Sequence, residues 1–414
     1  MELTEKQKEA VALCIDPTNR LVGVTGSAGT GKTTILKTAV EELKGRGATS
    51  ALCAPTGKAA KRITESTGIE AFTIHRLLEF PAPGQIDEQT GKPLEMGYPS
   101  RNKRKPLDYD FVFVDEAAMV NHDIFRFVVD ALKSGSALRL FGDVNQLPPI
   151  EENKQVAAEL SPFKWVLAKR KSVVLDQVHR QAEDSGVLFN ATRLLRGLPP
   201  AKREDFDVLY TEQPVDAVLQ LSKLVDFRSL DNQIISPTNQ GWVGCHQLNS
   251  RVQQVINPQP DPNKWLRIPR HTWDKERETL NLCLGDKVVI TKNNYDLKVF
   301  NGETGTVTEF DHEDGSFVIN LGDREVCIPP VIESTHNGRK WTADPRKDVD
   351  LAYVLTTHKC QGSEFDTVCY VMNKSRSFNL NRNNFYTGIT RARNKVHVIT
   401  DRASLQKSLH KGRD

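Results

Sequence analysis

The chemistry in this 414-residue chain concentrates in Gly26-Ser27-Ala28-Gly29-Thr30-Gly31-Lys32-Thr33-Thr34, a G-x-x-x-x-G-K-[ST] stretch. Glycines at 26, 29 and 31 let the backbone wrap until successive N–H groups point inward at an anion, and a helix starting there adds its N-terminal partial positive charge. Lys32 then reaches the β- and γ-phosphates of a nucleotide, and the Thr33 hydroxyl suits Mg²⁺, which prefers oxygen ligands. Gly26, Ala28, Gly29, Thr30, Gly31, Lys32, Thr33 and Thr34 are therefore the candidate nucleotide-binding residues, with ATP and Mg²⁺ as the expected cofactors. Further along, the apolar run Phe111-Val112-Phe113-Val114 ends in Asp115-Glu116. One of these carboxylates can join the Mg²⁺ shell and the next can orient an attacking water. Gln146, in the polar turn 142–150, is placed to sense a γ-phosphate, and Arg180 follows a short strand ending near Leu175.

These residues need a parallel sheet to hold them. Leu21-Val22-Gly23-Val24 before the loop and Ile35 to Leu43 after it predict strand, loop and helix. The runs 49–54, 111–114 and 137–141 predict further buried strands, each ending in a polar turn, on the edge where parallel α/β sheets place their ligands. Pro55 and Thr56 form the first such turn, which holds either a nucleic-acid phosphate or nothing, as an ordinary βα loop. Thr73 and His75 stand among the core residues of 71–78, where a satisfied buried histidine is the default reading of His75. Upstream, Thr4 and the spacing of Ala10, Val11 and Ile15 predict a short helix carrying Gln7, either an adenine-reading amide or an ordinary solvated residue.

From Gln233 the pattern repeats without a phosphate loop: a strand, the turn Pro237-Thr238-Asn239, and a helix over 243–255. Two similar α/β cores are implied. Between about 284 and 345 the texture changes to short β segments with glycine turns, which predicts a small barrel inserted in the second core. Residues 80–107 are rich in Pro and Gly and end in Arg101-Asn102-Lys103-Arg104-Lys105; they predict an inserted hairpin or a surface loop with a solvated basic tip.

Composition narrows the setting. A content of 38% hydrophobic and 26% charged residues is that of an ordinary globular chain, and a net charge of +3 confines any basic surface to local patches. Seven cysteines without a C-x-x-C pair argue for reduced thiols. The N-terminus lacks an apolar signal region and no run of about eighteen apolar residues occurs, so a cytoplasmic protein with no membrane contact is expected.

Together these stretches resemble the superfamily 1B DNA helicases, of the Dda-type and RecD-like kind, over nearly the whole chain. Residues 26–34 are similar to motif I, 54–60 to motif Ia, 73–78 to the DNA motif that follows, 114–119 to motif II and 142–150 to motif III. Arg180 matches the motif IV arginine, 356–366 resembles motif V, and 386–393 resembles motif VI. The likeness implies an α/β fold of two RecA-like parallel-sheet cores. The first (1–79 and 108–180) would carry the hairpin at 80–107, and the second (181–284 and 346–414) an SH3-like β-barrel at 285–345. It also implies roles: Gln7 reads adenine, Asp115 meets the metal, Glu116 orients water, Arg180 and Arg391 meet the γ-phosphate, and Glu364 binds the ribose. Pro55, Thr56, Thr73, His75, Thr238, Asn239, Thr357, His358 and Lys359 would line single-stranded DNA.

By the same likeness, ATP held between the cores would draw them together and its hydrolysis would let them part, moving the chain 5′ to 3′ along single-stranded DNA and opening duplex at junctions. The expected setting is a bacterial or phage-infected cell, with the chain a compact, Dda-sized monomer and replication or recombination proteins as partners. The competing reading is a non-motor P-loop ATPase or small-molecule kinase. Motif I alone permits it, but a kinase needs neither a second core with an arginine-bearing motif nor paired strand-end turns. A nucleic-acid-binding subunit without turnover is disfavoured because Lys32, Asp115, Glu116 and Arg391 are all present.

Overall fold

The computed structural model describes residues 3–81, 97–151, 160–177, 184–259, 261–270, 279–294, 296–336, 339–373 and 379–410. The chain divides into two compact units, one reaching Asp184 and one running from Ser185 to Arg413. In the first, α1 (Glu5–Ile15), β1 (Leu21–Gly26), α2 (Lys32–Gly45), β2 (Ser50–Ala54), α3 (Gly57–Thr67), β3 (Ala71–Thr73) and α4 (Ile74–Leu77) precede β4 (Phe111–Val114), α5 (His122–Asp130), β5 (Ala137–Gly142), α6 (Pro162–Lys169) and β6 (Lys171–Leu175). The six strands form one sheet in the order β3-β2-β4-β5-β1-β6, parallel at every pairing. Such a sheet is covered on both faces, which is why β4 reads Phe-Val-Phe-Val and is buried at every position. Its side chains alternate between two layers: Phe111 and Phe113 pack with Ala10, Ile35 and Leu36, and Val112 and Val114 with Ile74, Leu138 and Phe163.

The second unit begins with α7 (Gly186–Leu195), β7 (Phe206–Tyr210), α8 (Pro214–Leu221), β8 (Asn232–Ser236) and α9 (Cys245–Ile256). An antiparallel pair, β9 (Trp265–Pro269) and β10 (Thr279–Cys283), follows, then β11 (Lys287–Ile290), β12 (Thr304–Phe310), β13 (Phe317–Asn320), β14 (Glu325–Ile328), β15 (Ile332–His336), β16 (Arg339–Ala343) and β17 (Val349–Leu351). The chain then returns to the core through β18 (Val354–Thr356), β19 (Phe365–Val371), α10 (Arg382–Ile389), β20 (Ala392–Thr400) and α11 (Arg402–Ser408). A second parallel sheet runs β18-β8-β19-β20-β7, and an antiparallel one runs β14-β13-β12-β11-β17. The expected α/β class, with two parallel sheets and a β insertion in the second, is the class observed. The β9–β10 pair was not expected, and β17, beyond residue 345, pairs with β11 as an edge of the antiparallel sheet.

Of the hairpin expected at 80–107, residues 82–96 lie outside the described residues. The basic run that follows is engaged within its own unit: Arg101 and Lys105 both pair with Glu79, at 2.6 and 3.0 Å, and Lys103 pairs with Asp130 at 3.1 Å. Its local positive field is therefore weaker than the sequence suggests. Tyr98 is exposed and meets the ring of Phe127 edge-on at 5.8 Å. All seven cysteines are free. No helix among the described residues is long and apolar enough to cross a membrane.

A buried carboxylate joins the antiparallel sheet to the second core. Asp286 accepts from Gln253 Nε2 at 2.5 Å, and from Asn257 Nδ2, the Cys283 N–H and the Tyr353 hydroxyl, each at 2.7 Å. Burial raises its pKa, and these donors work against that rise. Beside it the equally buried Lys287 donates to the Ser229 and Asn232 carbonyls at 3.0 and 2.7 Å. Asp286→Ala leaves the donors without their acceptor, and at ~1–3 kcal/mol for each such buried group the second unit should lose roughly 3 kcal/mol or more. Urea unfolding measures it; a loss under ~1 kcal/mol would show that the network is not what holds the sheet.

Candidate nucleotide site and strand-binding edges

In the first sheet Val24 lies beside Phe141 and Thr25 beside Gly142, while Val114 lies beside Leu140. The chain therefore leaves β1, β4 and β5 at one edge and delivers Gly26, Asp115 and Asp143 there together. The phosphate loop needs its glycines: Gly29 and Gly31 have φ of +78° and +83°, and a Cβ at Gly26 would stand 2.4 Å from Thr30 Oγ1 and 2.9 Å from Leu175 Cβ. Helix α2 starts at Lys32 itself, so the first-turn N–H groups face the loop. Lys32 Nζ donates to the carbonyls of Gly26 and Ser27 at 2.7 and 2.9 Å, which holds the ammonium across the loop. Thr30 is buried and donates to the Ser27 carbonyl at 2.8 Å, Thr33 is half-buried, and Thr34 is exposed.

Gln7 is buried, not the solvated residue that an isolated helix would suggest. Its Oε1 accepts from the Thr4 N–H at 3.0 Å in a capping box, and its Nε2 donates to the Thr30 carbonyl at 3.1 Å. Those two bonds set the plane and polarity of the amide beside the phosphate loop. At the other end of α1, Arg139 of β5, fully buried, donates to the carbonyls of Cys14, Asp16 and Asn19 at 2.7, 2.8 and 2.7 Å. No motif pointed to it.

Asp115 is held at the end of β4 by its N–H, which donates to the Cys53 carbonyl at 2.9 Å, and its carboxylate accepts the Glu116 N–H at 2.8 Å. Burial first, then the Glu116 carboxylate, push its pKa up to about 6, against the pull of Lys32 and Arg62. Glu116 is a non-glycine residue at φ +51°, the kind of backbone strain that a surrounding structure must hold in place. Gly142 makes room for this turn: a Cβ there would lie 3.1 Å from the Ala118 nitrogen and 2.9 Å from the Phe163 ring. Asp143 accepts the Asn145 N–H at 2.9 Å, and the resulting tight turn keeps Gln146 buried. The hydroxyl of Thr33 and the carboxylate of Asp115 are hard oxygen donors, and a carboxylate disfavoured by burial is one that a divalent cation stabilises, so the set fits Mg²⁺. Arg180 lies outside the described residues.

At the far side of this sheet Ala54 lies beside Thr73, which brings Pro55, Thr56 and Thr73 to the same edge. Thr56 caps α3, accepting the Ala59 N–H at 3.2 Å, and Thr73 caps α4, accepting the Arg76 N–H at 3.1 Å. The His75 ring packs on Phe80 at 4.7 Å, and burial lowers its pKa.

The second sheet sorts its candidates to opposite edges. Ser236 lies beside Thr356, so Thr238, Asn239, Thr357, His358 and Lys359 follow the C-terminal ends of β8 and β18. Phe365 lies beside Ala392, so Glu364 and Arg391 sit at the N-terminal ends of β19 and β20. Asn239, Lys359 and Glu364 are exposed; Thr357 is fully buried, and burial also lowers the pKa of His358. Thr238 is tied into its own turn, donating to the Gln240 carbonyl at 3.1 Å. Arg391 is 4% exposed and donates to the Thr387 and Ser363 carbonyls at 3.1 and 3.4 Å. Asn239, Thr356 and Lys359 line a shallow cleft with His246, Ser250 and Arg270. Those last three carry no motif; α9 and β9 bring them there.

The fold and site define a P-loop NTPase with a second parallel sheet and an antiparallel insertion. Residues 2–212 match the model of the AAA domain, 248–321 that of the ATP-dependent RecD-like DNA helicase SH3 domain, and 351–399 that of the UvrD-like helicase C-terminal domain. The chain belongs to the AAA-domain family, and the RecD-like model and relatives support a superfamily 1B RecD-like helicase. It is 31% identical to the ATP-dependent RecD2 DNA helicase of Deinococcus radiodurans over 381 residues, 91% of this chain but 46% of that one, so it spans about half the length of that relative. It is 26% identical to the RecBCD enzyme subunit RecD of Mycolicibacterium smegmatis, covering 98% of this chain and 73% of that one. Among solved structures, Pif1 helicase from Bacteroides in complex with ADP-AlF3 and single-stranded DNA shares the fold with a TM-score of 0.61 at 22% identity, covering 99% of this chain and 94% of that one. Pif1 helicase from Candida albicans shares it at 0.59 and 18%, covering 100% and 97%.

The half-buried Asp115 yields a test of sign. A carboxyl whose folded pKa is raised stabilises the protein when protonated and penalises it when ionised, so the penalty is full above about pH 6 and fades as pH falls toward the unfolded value. In metal-free buffer Asp115→Asn should therefore raise the melting temperature at pH 7 and lose that advantage by about pH 4. An equal effect at both pH values would place the strain elsewhere.

Proposed function

We propose that this chain is an ATP-dependent DNA helicase that moves 5′ to 3′ along single-stranded DNA and opens duplex at junctions. The observation that carries the reading is the division of labour between the sheets. The first gathers Lys32, Asp115, Glu116 and Gln146 at one edge; the second has the same parallel build, no phosphate loop, polar turns at one edge, and Glu364 and Arg391 at the other. A kinase or plain ATPase has no use for that second sheet. The RecD2 and RecD relatives support the same reading, and the Pif1 complex supports single-stranded DNA as the polymer.

In this proposal Thr33 and Asp115 hold Mg²⁺, which supplies charge neutralisation on the phosphates when bound. Lys32 exchanges the Gly26 and Ser27 carbonyls for phosphate oxygens, and Glu116 orients the attacking water and takes its proton. Gln146 senses the γ-phosphate, Arg391 answers its charge by leaving its carbonyl acceptors for an anion, and Arg180 shares that task. Gln7 reads adenine and Glu364 the ribose. Pro55, Thr56, Thr73, His75, Thr238, Asn239, His358 and Lys359 hold the strand, with Thr357 acting through its backbone because its side chain is buried. Contacts of this type follow the phosphate backbone, so binding should show little sequence preference and a strong salt dependence.

Single-stranded DNA should accelerate ATP hydrolysis. Glu116→Gln should retain ATP binding while hydrolysis falls by about 10²–10⁴, and Arg391→Ala should lose roughly 10³–10⁵ in saturating DNA. Hydrolysis indifferent to DNA would sink the motor and leave the kinase reading. Near-parental turnover by Arg391→Ala would pass its role to Arg180.

Direction is tested with duplexes bearing one single-stranded overhang. The 1B resemblance and the β insertion, in place of a large helical domain, favour unwinding from the 5′ overhang. Preferential unwinding from the 3′ overhang would overturn the polarity while leaving the ATPase assignment standing.

A further inference from the structure

Helix α1 is anchored at both ends, and the two anchors have different chemistry. At its start the capping box and the bond from Gln7 to the Thr30 carbonyl tie it to the phosphate loop. At its end it carries no basic residue in the last turn, although exposed C-terminal carbonyls attract a cation. That cation comes from another element. Arg139, inside β5 and 0% exposed, donates Nε to Cys14, Nη2 to Asp16 and Nη1 to Asn19, all main-chain carbonyls. The Asp16 carboxylate is engaged by Thr18 and Asn19 instead. Burial pushes the guanidinium pKa down to about 10, so the group is still charged at neutral pH. A buried cation carries a desolvation penalty that an apolar side chain in the same strand would not. Nη1 also donates to the Leu138 carbonyl of its own strand at 3.2 Å, and the other three acceptors belong to the end of α1 and the turn after it.

We infer that Arg139 is a positioning residue for base recognition: by clamping the C-terminal end of α1 it sets where Gln7 presents its amide, and so governs the preference for adenine. This rests on the reading of Gln7 proposed above. With a rise of ~1.5 Å per residue, Gln7 stands on the order of 12 Å from the clamp, and a tilt of roughly 5° there moves the amide by about 1 Å, enough to spoil a hydrogen bond. The same strand runs on into Gly142 and the turn of Gln146, so one side chain registers the base-reading helix against the strand that leads to the γ-phosphate sensor.

The experiment is steady-state hydrolysis of ATP and of GTP by the full chain in saturating single-stranded DNA, for Arg139→Lys, Arg139→Met, Gln7→Ala and the double variant Gln7→Ala with Arg139→Lys. Lysine keeps the charge but replaces the forked donor set with one ammonium. Arg139→Lys should raise the KM for ATP about tenfold, keep kcat within about twofold, and lower the ATP-over-GTP preference in kcat/KM about tenfold. Arg139→Met should lower that preference further. Gln7→Ala should lower it alone, and Arg139→Lys added to it should lower it no more, because both act through one amide. A parental preference in Arg139→Lys overturns the inference, and so does an additive double variant, which would mark general loosening. Parental preference in Gln7→Ala sinks the adenine-reading role itself, a different failure from that of the clamp. If Arg139→Met does not fold, Arg139→Lys and the double variant carry the test, with thermal melting showing that they are folded.

Discussion

A phosphate can approach a backbone closely only where no side chain intervenes, and the first unit is built around that constraint. Gly26 sits where even a Cβ would collide with Thr30 and Leu175, and Gly29 and Gly31 hold a conformation that a side chain opposes. A loop so stripped of side chains cannot hold itself in place. Its support is the sheet below: β1 is flanked by β5 and β6 in parallel register, and α2 rises directly from Lys32. The same edge that exposes the loop therefore exposes whatever ends β4 and β5. That is why Asp115 and Gln146, far apart in sequence, come to the same edge of the sheet.

Two acids, Asp286 fully buried and Asp115 half-buried, show how their surroundings separate structural from chemical roles. Burial raises the pKa of both Asp286 and Asp115. Asp286 receives four donors from α9, β10 and their surroundings, so its charge is met within the fold and its role is to join elements. Asp115 receives the Glu116 N–H, while the Glu116 carboxylate beside it adds like charge. A pair of that kind becomes favourable when a cation arrives, which is the behaviour that a metal-dependent site requires.

Much of this was legible because the decisive residues are contiguous. The strand, loop and helix around residues 21–45 and the apolar run into Asp115-Glu116 announce themselves locally, and the repeat of strand and polar turn at 233–239 exposed the second sheet. What escaped depends on partners distant in sequence. Arg139 stands in a strand whose other residues are apolar, and only the carbonyls of 14–19 explain it. Glu79 and Asp130 offset part of the charge of the basic run, so local composition overstated it. The β9 strand did alternate, with Leu266 and Ile268 buried and Arg267 exposed, but over too few residues to separate from a loop. Gln7 looked solvated because a helix of mixed polarity does not reveal which face meets a loop two elements away.

The second sheet gives the sorting of its residues a mechanical consequence. The segment 357–364 leaves the C-terminal end of β18 and enters the N-terminal end of β19, so it begins among the residues proposed for the strand and ends beside Glu364 and Arg391. It is short, largely buried, and closed by its own hydrogen bonds: Cys360 N–H to the Thr356 carbonyl at 3.1 Å, Gln361 to His358 at 3.2 Å, and Ser363 to Cys360 at 3.1 Å. A crossover without slack cannot absorb a displacement at one end by loosening in the middle. A shift imposed through Arg391, whose guanidinium is held by the Ser363 carbonyl, is therefore passed toward Thr357 and Lys359. On the proposed reading, the link between nucleotide chemistry and strand grip would need no separate relay, because one packed segment spans both edges of the sheet.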